Sequence, residues 1–139
     1  KHDMTRAPAL AFAVLALAAS PVLADAESER CEEAAAAYRA LTGKDAAAEP
    51  TPTVLMYKYR FCPPTIQVKR GASVRYINVD KRTSHSVWLK DDGREESERV
   101  FQEGVVEVST VGLADGEHSV LCGPHWERDG MKAKIIVGE

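Results

Sequence analysis

Histidine is scarce in this chain, with four residues in 139; cysteine and methionine number three each, and tryptophan only two. Clustered positive charge is also missing, and acidic side chains outnumber basic ones, 21 to 18, for a net charge of −3. Nucleic-acid binding needs a basic stripe to neutralise phosphates, so the composition argues against that class. No segment repeats, and the apolar segments are too short for a propeller. The longest apolar stretch, APALAFAVLALAAS at residues 7–20, is too short to span a bilayer. What remains is a single domain with a modest core and an odd number of cysteines.

The apolar stretch has its own reading. It follows Met4 and Arg6, and the small residues of SPVLA precede Asp25. That order describes a secretory signal cleaved after Ala24, with Lys1-His2-Asp3 as extra N-terminal residues; an uncleaved anchor is the rival. With no twin-arginine pair, unfolded export to the periplasm is expected. Residues 1–24 are then the signal, 25–52 a helix and linker, and 53–139 the working domain. The mature chain is expected to be monomeric and free of the membrane.

AESERCEEAAAAYRALTGKD is rich in helix formers and meets Gly43, a natural helix stop. Cys31, Ala34, Ala35, Tyr38 and Leu41 fall on one stripe. Pro50 and Pro52 then mark a linker. From Thr53 the pattern turns to short β-branched or aromatic segments: TVLMYKY, TIQVK, SVRYINV, HSVWLK, VVEVST, HSVLC and KAKIIV. Turn residues separate them, which predicts an all-β sandwich with a short N-terminal helical extension. The charge-dense stretch KDDGREESER reads as a solvated loop, with a docking role as the alternative.

The chemistry concentrates in CGPHWERDGM, residues 122–131, which carries a thiol, an imidazole and a thioether. A thiolate and two imidazoles in a trigonal set, with a weak axial thioether, suit copper cycling between Cu(I) and Cu(II). Cys122, His125 and Met131 supply three of these groups. His85 is the better source of the second imidazole, because alternation puts it on one face with Val87 and Leu89. On the same alternation Trp88 faces away from His85, where it is placed against Tyr38 and Leu41. His118 reads as a partly exposed strand histidine. Two imidazoles leave too few histidines for a second copper, so a multicopper oxidase or reductase is not expected. A structural zinc site would close with four Cys or His ligands.

GEHSVLCGPHWERDGMKAKIIV resembles the last strands and ligand loop of the cupredoxins, the blue copper proteins such as plastocyanin, pseudoazurin and amicyanin. FCPPTIQVKRGASVRYINVDKRTSHSVWL is similar to their front half. The resemblance runs from about Thr53 to Val137. It implies an eight-stranded Greek-key sandwich with one type 1 copper ion on His85, Cys122, His125 and Met131. It also implies a non-enzymatic carrier of single electrons between redox partners, such as a cytochrome c or a periplasmic dehydrogenase or reductase. Two departures stand out. Five residues separate His125 from Met131, one more than in plastocyanin and pseudoazurin, which leaves Glu127 as a rival axial ligand and a red, carboxylate-bound centre as a variant. Ser86 replaces the family's usual Asn after the first His, which predicts a weaker tie between the ligand loops. Pro124 has no N–H, so the resemblance implies that the Cys122 thiolate relies on Ser86 for its hydrogen bond, which pushes the potential down.

With Cys122 given to the metal, Cys31 and Cys62 remain to pair, against a free buried thiol or an intermolecular bond. Trp126 either flanks the His125 edge in an apolar docking patch or fills a gap beside the longer loop. Copper delivery is the alternative function; it favours open, Met-rich clusters, and after the signal only Met56 and Met131 are left.

Overall fold

The segment Thr53–Tyr57 is nearly continuously apolar because it is covered on both faces, and this sets the architecture. In the computed structural model, which describes residues 7–15 and 22–139, seven strands form two sheets. They are β1 (Thr53–Tyr57), β2 (Arg60–Cys62), β3 (Thr65–Lys69), β4 (Ser73–Asn78), β5 (Val105–Ser109), β6 (Gly116–Leu121) and β7 (Lys132–Gly138). One sheet has the order β2-β1-β4-β5, with β1 and β4 parallel; the other has the order β3-β7-β6, with β3 and β7 parallel. Val54, Met56, Val74, Tyr76 and Val108 face Val120, Ala133, Ile135 and Val137 across the core. The expected all-β sandwich is therefore present.

The other face of β1 and β4 is covered by the N-terminal helix α1, Val22–Thr42. Ala34 and Tyr38 pack on Leu55, Cys62, Ile77 and Val79, with Leu41 beside them. Gly43 ends α1 at φ +72°, its N–H donating to the Arg39 carbonyl at 2.8 Å. That left-handed position is open to glycine without a Cβ penalty. Cys31 and Cys62 form a disulfide that staples α1 to β2. Much of the expected signal, at residues 1–6 and 16–21, lies outside the described residues. Residues 22–24, on its side of the expected cleavage point, begin α1. Among the described residues, no helix is long and apolar enough to cross a membrane.

Three expectations need correction. TVLMYKY is not one strand: Lys58 and Tyr59 form a two-residue turn at φ 44° and 61°, and β1 folds back onto β2 with Tyr57 opposite Arg60. Such turns favour Asn-Gly, so Lys-Tyr conceals this one. HSVWLK is not a ladder strand. It makes isolated bridges, His85 to Val100 in a loop and Trp88 to Leu121 at the β6 edge, at one end of the sandwich. Its other backbone groups go to loop partners: Val87 N–H to Ser97 Oγ at 2.8 Å, and the Val87 carbonyl from Ser97 N–H at 3.1 Å. Ser86 is as buried as His85 and Val87, so alternation fails there. Trp88 does not lie over α1; it sits at the β6 edge, its indole N–H on the Arg94 carbonyl at 2.9 Å.

Candidate metal centre

Two loops converge at this end of the sandwich, and the polar residue Asn78 organises the first. Asn78 is fully buried, and its amide donates to the carbonyls of Thr83 and Val100 at 2.9 and 2.8 Å. Its Oδ1 accepts the Asp80 N–H at 2.7 Å. These bonds hold residues 79–84 in place and deliver His85, fully buried, into the gap between the sheets.

The second loop leaves β6 at Leu121 and tightens at once. The Cys122 carbonyl accepts N–H groups from His125 at 3.1 Å and Trp126 at 2.8 Å, opening the short helix α2, Trp126–Asp129. Gly130 reverses the chain at φ +65°. Met131 then donates its N–H to the His125 carbonyl at 3.3 Å and accepts the Cys122 N–H at 3.2 Å. Five intervening residues are thus absorbed by α2 and its glycine stop, and Met131 returns beside Cys122, at 1 % exposure. Glu127, on the same helix, faces solvent.

The outcome is a cluster of donor atoms. Cys122 Sγ lies 3.7 Å from His85 Nδ1 and 3.4 Å from His125 Nδ1, and the three atoms fall within 4.8 Å of one another. Metal bonds of about 2.0 Å to nitrogen and 2.3 Å to sulfur, at a trigonal angle, span about 3.7 Å. The spacing therefore fits two imidazoles and a thiolate around one ion. Burial pushes the Cys122 thiol up, while the Ser86 N–H, 3.5 Å from Sγ, pulls it back. His125 is held below the ordinary imidazole range, first by burial and then by the neighbouring His85, which favours the neutral ligating form.

Ser86 makes a tie of its own. Its hydroxyl accepts the Gly123 N–H at 2.9 Å and donates to Glu96 Oε1 at 2.7 Å. The two ligand loops are therefore joined through the Ser86 hydroxyl itself. Glu96 and Ser97 also show that KDDGREESER is not simply a solvated loop. His118 stays apart, nearly buried on β6, with Nε2 on the Ala114 carbonyl at 2.6 Å and Nδ1 on Asp92 at 2.9 Å. Trp126 is half-buried, and the Lys90 ammonium lies 5.2 Å from its ring centre and 5.4 Å from that of Trp88.

Other neighbours of the cluster are absent from the sequence reading. His85 Nε2 contacts Asp80 Oδ2 at 2.7 Å. The Tyr59 ring stands edge-on to His125, centroids 4.9 Å apart, at the hairpin tip. The turn at Lys58–Tyr59 supplies the Tyr59 ring, and its Lys58 N–H donates to Asp80 Oδ2 at 2.9 Å. The one available signal is weak: an acidic residue five positions before the histidine.

Comparison with known proteins agrees with this geometry. Residues 53–138 match the family of copper binding proteins described as the plastocyanin/azurin family. No curated protein sequence is significantly similar to the chain. Among solved structures, amicyanin from Paracoccus versutus (Thiobacillus versutus) shares 22 % identity over 66 % of this chain and 87 % of its own, with a TM-score of 0.54. An oxidized methionine-to-leucine mutant of amicyanin shares 20 % over 65 % and 84 %, with a TM-score of 0.56. The reduced Cu(I) form, at pH 4, of a proline-to-glycine amicyanin mutant shares 21 % over the same fractions, with a TM-score of 0.53. At these identities the likeness establishes the fold. The chain belongs to the plastocyanin/azurin family of copper-binding proteins, electron carriers rather than enzymes, with the cluster of His85, Cys122 and His125 as a candidate site for its one copper ion.

Proposed function

We propose that His85, Cys122, His125 and Met131 hold one type 1 copper and that the protein carries single electrons between redox partners in the periplasm. The observation that carries this reading is the meeting of Cys122 Sγ with two imidazole Nδ1 atoms at 3.7 and 3.4 Å. Thiolate, imidazole and thioether together suit both copper oxidation states. When bound, copper supplies reversible one-electron exchange.

The protein's part is to keep the donors still. The backbone bonds among Cys122, His125 and Met131 lock three of them into one loop. His85 is held from the other loop by Asp80 and by its paired bonds with Val100, N–H to carbonyl at 3.1 Å and carbonyl from N–H at 2.8 Å. Burial of Met131 favours it over the exposed Glu127 as the axial donor. His125 is the half-exposed member, with Tyr59 beside it at 38 % exposure, so partner proteins gain access there.

A closed, buried donor set favours carriage over delivery. The signal-like residues 1–24 and the Cys31–Cys62 disulfide support an exported, oxidising location. Residues 53–139 form the copper domain and 25–52 its helical extension, and we take the carrier to be monomeric. Adding Cu(II) to the purified protein tests the reading. A strong thiolate-to-copper band, bleached reversibly by ascorbate, is expected. A colourless complex that yields its metal to a mild chelator would overturn it in favour of delivery.

A further inference from the structure

Asp80 is buried, at 9 % exposure, and its carboxylate is engaged from two sides through one oxygen. Oδ2 contacts His85 Nε2 at 2.7 Å and accepts the Lys58 N–H at 2.9 Å. The Asp80 N–H is anchored on Asn78 Oδ1. A carboxylate accepting at Nε2 keeps the proton on that nitrogen. Nδ1 then presents its lone pair, and Nδ1 is the atom that faces Cys122 Sγ. The ring's tautomer and direction both follow from Asp80.

The second donor to Asp80 comes from an unusual place. Lys58 and Tyr59 are consecutive non-glycine residues at positive φ, 44° and 61°. Such conformations persist where the surroundings over-determine them, and they cluster at functional sites. The surroundings are visible here. Glu33 Oε2 accepts from the Lys58 ammonium at 3.0 Å and the Tyr57 hydroxyl at 3.1 Å, and Arg30 donates to the Lys58 carbonyl at 3.1 Å. Both Glu33 and Arg30 belong to α1, outside the residues that match the family. On the far side of the turn, Arg60 donates to the Asp129 carbonyl at 3.2 Å, on the ligand loop itself. The Lys58–Glu33 ion pair is half-exposed and screened. The contribution of α1 is therefore placement of the turn more than charge.

We propose that Asp80 is the positioning residue of the copper centre: it aims His85 Nδ1 at the metal, is steadied by a turn that α1 secures, and biases bound copper toward Cu(II). The inference rests on the copper reading above. The bias follows because a full negative charge on the Nε2 proton makes the imidazole a stronger donor, and a stronger donor favours the higher oxidation state.

The test compares wild type with Asp80→Asn, which keeps the shape and removes the charge. In copper-loaded protein, Asp80→Asn is expected to shift the Cu(I)/Cu(II) equilibrium at least threefold toward Cu(I), about 28 mV upward at 59 mV per decade for one electron. A smaller shift, or one in the other direction, would overturn the proposal. Nitrogen-15 NMR of metal-free wild type, above the imidazole titration range, provides a check that needs no variant to fold. His85 is expected to carry its proton on Nε2, and finding it on Nδ1 would overturn the assignment. The two readings fail separately. A wild type that forms no thiolate-to-copper band sinks the copper reading, whereas a wild type with that band and an unmoved variant sinks only the role of Asp80.

Discussion

The Ser86 hydroxyl donates to Glu96 Oε1 at 2.7 Å while accepting the Gly123 N–H at 2.9 Å, so one oxygen joins three segments around Cys122. Ser86→Ala leaves the Gly123 N–H without its acceptor, and an orphaned donor costs about 1–3 kcal/mol. A Cβ added to Gly123 would fall on the Glu96 carboxylate, which must then swing away and release Ser86. Gly123→Ala and Glu96→Ala should therefore each destabilise the protein. The double variant should lose less than the two single losses together, because both break the same contact. Denaturant unfolding of the four proteins measures this; additive losses would mean that Glu96 is not part of the brace.

The pairing of His118 gives stability a pH dependence. Its raised pKa comes first from the Ala114 carbonyl, against burial, and then from Asp92, with Arg94 opposing. Two acceptors, one at each ring nitrogen, are both satisfied only by the protonated ring. The folded pKa lies above the unfolded value of about 6.5. The extra stability is therefore fully present below the unfolded value and is lost as pH rises through the folded one. His118→Gln should remove that component. The difference in unfolding free energy between wild type and variant should shrink as pH rises through this window, which urea titrations at a series of pH values would show.

The Cys31–Cys62 disulfide closes a loop with a sequence separation of 31. Loop-closure entropy for that length is worth about 3–4 kcal/mol. Replacing both cysteines with serine should lower the unfolding free energy by about that amount. Mass spectrometry without reductant should detect Cys122 as the free thiol in metal-free protein. Two further free thiols would remove the staple from the account of α1.

How much of this was legible beforehand depends on the range of each interaction. Cys122, His125 and Met131 lie in one short loop, and their chemistry announces itself through residue type and spacing. His85 was legible because few histidines competed with it. The core pattern of β4 is legible in part because alternation is local, and β1 shows itself instead as an apolar run covered on both faces. Asp80, Glu96 and Tyr59 were not, since each acts on a partner brought close only by the fold. The Lys58–Tyr59 turn was hidden because its residues oppose their own backbone geometry, and contacts to α1 and Asp80 override that preference. Alternation misplaces Trp88 because HSVWLK makes isolated bridges rather than a ladder, so the period of two does not apply to it.

Met131 offers the sharpest separation between packing and ligation. Its side chain belongs to the main core cluster at 1 % exposure. Met131→Ala removes a large buried side chain, which costs about 2–5 kcal/mol through lost burial and the cavity left behind. Metal-free protein should show that full loss. Met131→Leu nearly conserves volume and should cost less than about 1.5 kcal/mol. A thioether on the copper axis predicts that Met131→Leu nonetheless alters the EPR and visible spectra of the loaded protein. Glu127→Gln, on the exposed side of α2, should leave them unchanged. The reverse pattern, spectra that follow Glu127 and ignore Met131, would make the centre carboxylate-bound and reduce Met131 to a packing residue.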